Sequence, residues 1–108
     1  MSEFAYMDTI REVLERPRML PIGLWVVQRE LEVPFLASDI AKATDVSPPQ
    51  VGRELLVLRL HEMVGSYEGE PLENPRFRRG TAHPLVRIEH PVWELYDHII
   101  KTNRMLSE

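Results

Sequence analysis

Cysteine is absent from the 108 residues, which removes disulfides, thiolate zinc sites and cysteine nucleophiles together. Long apolar runs are missing too, since no stretch approaches the roughly eighteen apolar residues that a membrane span needs. The opening residues, MSEFAYMDTIREVLERP, intersperse acids and bases where a leader would be basic and then apolar. The expectation is a soluble, cytoplasmic protein without a membrane partner. An excess of positive charge is also lacking. Lys and Arg number 13 against 17 Asp and Glu, a net charge of -4, so the surface as a whole is not built to neutralise phosphates. Nor is there a glycine-rich phosphate loop, a nucleophile elbow or a paired-carboxylate motif, and an enzyme is not expected. His61, His83, His90 and His98 follow no ligand spacing, so neither a metal nor another cofactor is expected.

What is present is a series of amphipathic segments with clear punctuation, of a length that suits one domain over 1–108. From Ser2 to Arg16, apolar residues Phe4, Met7, Ile10, Val13 and Leu14 recur at helical spacing until Pro17 stops the helix. Pro21 is placed at the first position of a second helix with Ile22, Leu24, Trp25, Val26, Val27 and Leu31 on its apolar side, and Pro34 forbids its continuation. Phe35 and Leu36 form a very short extended segment able to pair with the edge of a later hairpin.

The stretch Ala37 to Val64 organises the rest. Ser38 is read as the cap of a short helix with Ile40, Ala41 and Thr44 inward and Asp39 and Lys42 toward water. Thr44, Asp45 and Val46 form the turn, where a short polar residue such as Asp45 tolerates a left-handed backbone. Ser47, followed by Pro48 and Pro49, caps and opens a longer helix. Val51, Leu55, Leu58 and Met63 give that helix its inward stripe, and Pro49, Gln50, Arg53, Glu54 and Val57 are assigned to the opposite side. Leu56, Val57 and Leu60 make it broader than one stripe requires, which predicts a third contact or an interface. Two helices joined this tightly form a helix-turn-helix, whose second helix suits the major groove of DNA.

Residues 63–67 and 85–89 read as two short strands that pair as a hairpin. The connection between them, with three prolines and two glycines over 68–84, is acidic first and basic afterwards. Positive charge is local: Arg76 to His90 holds four arginines and two histidines against one glutamate, while residues 1–36 hold six acids and four bases. A last helix over 91–106 opens at Pro91 and carries Val92, Leu95, Tyr96, Ile99 and Ile100 on a wide apolar face.

The region from Pro21 to Ile88 resembles the winged helix-turn-helix domain of small prokaryotic transcription regulators of the ArsR, MarR and HxlR kind. Ile40 and Ala41, then Asp45, Val46 and Ser47, then Val51, Arg53, Leu55 and Leu58, then Met63 and Val64 carry the resemblance. It departs from the pattern in having Asp45 where glycine is common at the turn, a longer wing and few bases on the second helix. The fold expected is mainly α with a small β-hairpin: a winged core over 21–90 with an additional N-terminal helix (2–16) and C-terminal helix (91–106).

The resemblance implies a homodimeric, sequence-specific regulator of double-stranded DNA, with the helix of 47–62 in the major groove and the wing of 68–84 on the backbone or minor groove. Ser47, Gln50 and Arg53 are the candidate base and phosphate contacts on the helix, and Arg76, Arg78 and Arg79 those on the wing. Phe4, Met7, Val92, Leu95, Tyr96, Ile99 and Ile100 are assigned to the dimer interface. The alternative is an adaptor of the same fold that binds a protein partner and no DNA, suggested by the acidic net charge and the breadth of the second helix.

Overall fold

The computed structural model describes residues 4–68 and 83–108. The described residues are mainly helical with one small antiparallel hairpin, in the order α1 (Met7–Glu15), α2 (Met19–Val27), α3 (Ala37–Thr44), α4 (Pro48–Leu60), β1 (Val64–Ser66), β2 (Leu85–Arg87) and α5 (Trp93–Ser107). Among them no helix is long and apolar enough to cross a membrane.

Proline sets the first boundary. Arg16 precedes Pro17 and is extended (φ -103°, ψ 104°), because the ring of a proline crowds the helical conformation of the residue before it. α2 begins at Met19, two residues earlier than expected, and tolerates Pro21 because the first turn of a helix has no use for that N–H. It also ends early, at Val27. Side chains close that end, with Gln28 Nε2 donating to the Leu24 carbonyl (2.8 Å) and Arg29 Nε to that of Trp25 (3.2 Å). Leu31 thus lies outside the helix, 41% exposed.

α3 is capped differently from the expectation. Asp39, at the third helical position, reaches back to accept the Leu36 N–H (3.1 Å), and Ser38 sits inside the first turn. The helix ends at Asp45, whose φ of 59° is left-handed and whose N–H donates to the Ala41 carbonyl (3.1 Å). Three residues later Pro48 opens α4, as expected, with Ser47 extended before it but without a side-chain capping bond. α4 closes in a Schellman motif: Glu62 (φ 59°) donates to the Arg59 carbonyl (3.0 Å) and Met63 to that of Leu58 (2.9 Å). Glu32, with φ 67°, is the third non-glycine residue with positive φ among the described residues.

β1 and β2 pair in the register Val64↔Arg87, Gly65↔Val86 and Ser66↔Leu85. Phe35 pairs with the free edge of β2, exchanging two backbone hydrogen bonds of 2.8 Å with Leu85, which is the pairing anticipated for that short segment. The Trp93 indole N–H, at the start of α5, donates to the carbonyls of Met63 (3.1 Å) and Ile88 (3.0 Å) and so ties α5 to both strands.

One core joins all of these elements. Met19, Ile22 and Val26 of α2, Ile40 of α3, Val51 and Leu58 of α4, and Met63 are fully buried within it. Tyr96 of α5 enters because Gly23 has no side chain. A Cβ there would lie 2.3 Å from Tyr96 Cε1. Val92 and Tyr96, expected at a dimer interface, are 3% and 2% exposed in the chain's own core, and burial pushes the Tyr96 hydroxyl up to about 12.

Candidate nucleic-acid interface

The first half of α4 and the residue before it carry the candidate contacts read from sequence. Ser47, Pro48, Pro49 and Arg53 are exposed and Gln50 is half-buried. Pro49, Gly52, Arg53, Leu56 and Leu60 follow one another at helical spacing on the outer face, with Leu56 57% and Leu60 72% exposed. Gly52 has no packing role among the described residues, where a Cβ would meet nothing within 4 Å. A mid-helix glycine costs about 0.5–1 kcal/mol relative to alanine, and here it leaves the α4 backbone bare where none of the described residues needs room.

Glu54 and Val57 correct the expected division of α4 into faces. Val57 is buried, and Glu54 is 1% exposed. Arg16, at the end of α1, grips the Glu54 carboxylate with both arms: Nε donates to Oε2 (2.6 Å) and Nη2 to Oε1 (3.0 Å). Oε1 also accepts from Gln50 Nε2 (2.8 Å), and Gln50 Oε1 accepts from Arg53 Nη1 (3.2 Å). Burial alone would push the Glu54 carboxyl up. The hydrogen bonds from Arg16 and Gln50, with the charges of Arg16 and Arg18, outweigh it and hold Glu54 below the usual carboxylate range. α4 thus meets α1 through polar groups, while Leu56 and Leu60, from whose breadth a third contact or an interface was expected, stay exposed. The polar contact continues at His61, where Nδ1 shares a hydrogen with Thr9 Oγ1 (3.0 Å) and Nε2 meets Glu12 Oε2 (2.6 Å).

Neither Arg16 nor Glu54 stood among the candidate site residues read from sequence, where Glu54 appeared only on the outer face of α4. The Gln50–Glu54 spacing of four was a usable signal, but Arg16 is 38 residues away and nothing local announces it. Arg76, Arg78 and Arg79 lie outside the described residues, as does all of the 68–84 wing except Glu68, His83 and Pro84. Of the residues assigned to a dimer, Phe4 (63%) and Met7 (43%) are exposed, while Leu95, Ile99 and Ile100 are half-buried on α5. Leu95, Tyr96 and Ile99 line an apolar groove of about 320 Å³ with Val13, Leu14 and Leu20.

The half-buried histidines are used structurally: beside His61, His90 Nδ1 accepts the Val92 N–H (3.1 Å). Among the described residues no three His, Asp or Glu side chains gather as a metal cluster. No protein-family model and no curated protein matches this chain.

Proposed function

We propose that the chain is a winged helix-turn-helix regulator of transcription that binds double-stranded DNA as a homodimer in the cytoplasm. α4 enters the major groove, and residues 68–84 form the wing, bringing Arg76, Arg78 and Arg79 to the backbone or minor groove. The observation that carries the reading is α4 itself: joined to α3 by three residues, it holds half-buried Gln50 and exposed Arg53 beside a glycine that packing among the described residues does not require. Gln50 suits the donor and acceptor edge of adenine, and Arg53 suits guanine or a phosphate. The hairpin, tied to Phe35 and Trp93, supports a wing between its two strands. A two-fold pair of such helices reads half-sites about 34 Å apart.

Fluorescence anisotropy on duplex DNA over a salt series tests this reading. Affinity is expected to fall steeply with salt, and replacing Arg76, Arg78 and Arg79 by alanine is expected to reduce the log–log slope by roughly 2–3. No binding at low salt, or an unchanged slope in the triple variant, would sink the proposal. The second reading, a protein-binding adaptor, is favoured by the net charge of -4 and by exposed Leu56 and Leu60. Retention of one stoichiometric protein and no DNA would support it instead.

A further inference from the structure

We infer that Glu54, held by Arg16, is a positioning residue that fixes which way the Gln50 amide faces and thereby which base Gln50 can read. The inference rests on the DNA-binding reading above and adds to it a residue that touches no base.

The physical basis is that an ionised carboxylate only accepts hydrogen bonds. Glu54 Oε1, 2.8 Å from the Gln50 amide, therefore admits its NH2 group and refuses its carbonyl. A glutamine free in solvent turns its amide over and offers donor and acceptor in either order. Here the second contact agrees with the first: the carbonyl is left facing Arg53 Nη1 at 3.2 Å, and a guanidinium only donates. One N–H and one lone pair of Gln50 stay unused, in a fixed order, which is what pairing with N7 and N6 of adenine requires.

Glu54 can do this only because it is itself immobile. It is 1% exposed, and the two parallel bonds from Arg16 (2.6 and 3.0 Å) leave the carboxylate plane no freedom. Arg16 therefore acts on the reading face from the end of α1, through two hydrogen-bonded steps.

The experiment is selection from a randomised duplex library with the full-length protein. Wild type, Gln50→Ala, Glu54→Gln and the double replacement Arg16→Met with Glu54→Met are compared. Glu54→Gln keeps the shape but lets either end of the Gln50 amide face it. The double variant removes both buried charges together, which leaves neither unpaired and preserves folding if the single change does not.

Gln50→Ala is expected to abolish preference at one base pair per half-site. Both Glu54 variants are expected to lose discrimination at that same pair by roughly five- to a hundredfold, with the salt slope unchanged. In the free protein, the Gln50 side-chain amide resonances of wild type are expected to be dispersed and to collapse toward exposed-glutamine positions in both Glu54 variants. Full preference retained at that pair by the Glu54 variants, or no pair lost in Gln50→Ala, overturns the inference while leaving DNA binding standing. Failure of the wild type to bind any duplex overturns both.

Discussion

Glu54 is the most demanding single residue in the chain, a carboxylate 1% exposed at the junction of two helices. Removing one partner of a buried pair costs about 3–5 kcal/mol when the other is left dry. The Arg16 side chain is 34% exposed and can rehydrate, so Glu54→Ala is expected to cost less, about 2 kcal/mol, in urea unfolding at neutral pH. The pH dependence follows from the direction of the shift. Because the folded value lies below the ordinary 4.5, this stability is complete above that value and is lost as the pH falls through the folded one. Unfolding measured from pH 7 to 3 should show a flatter acid limb in Glu54→Gln. His90 acts in the same sense from higher pH. Burial first, then the charge of His61, lowers it from 6.5, so its contribution is present above 6.5 and lost on acidification. The exposed ends of Gln50 and Arg53 were legible from helical spacing, and that same spacing misplaced Glu54. Periodicity ranks positions by face, but it cannot supply a counter-ion from another helix.

Among elements, α2 and α5 approach closely, because Gly23 lets the Tyr96 ring lie against the α2 backbone. Gly23→Ala is expected to destabilise by about 1–3 kcal/mol through overpacking, despite the better helix propensity of alanine. In a Tyr96→Leu background the same change should cost little, a non-additivity that thermal unfolding of the four proteins measures. Helix propensity alone marks Gly23 only as a weak helix former. For the same reason Val92 and Tyr96 passed as interface residues: an apolar stripe says that something covers it, not whether the cover is the same chain. The helices themselves, the proline openings of α4 and the pairing of Phe35 with the hairpin were legible, since each depends on local chemistry. The ends of α2 were not, because Gln28 and Arg29 close it through side chains.

At the scale of the whole molecule, apolar surface is left over on the outer helices. Leu14 is 62% exposed on α1, and Met105 and Leu106 are 73% and 81% exposed at the end of α5. Under the proposed homodimer this surface meets its two-fold mate, so Ile99→Glu is expected to yield monomer or aggregate by light scattering. A dimer of unchanged mass would count against α5 as the interface.

The left-handed residues that end the helices carry a different consequence. Asp45 and Glu62 hold φ near 59° at the carboxy-terminal ends of α3 and α4, where backbone strain and the helix dipole both disfavour an acidic residue. Glu32 adds a third such position. Glycine relieves about 1–2 kcal/mol of strain at a left-handed site and returns about 0.5–1 as entropy of the unfolded chain. The three positions together therefore hold roughly 2 kcal/mol in reserve, on the order of 10 °C of thermal headroom that the natural sequence leaves unused.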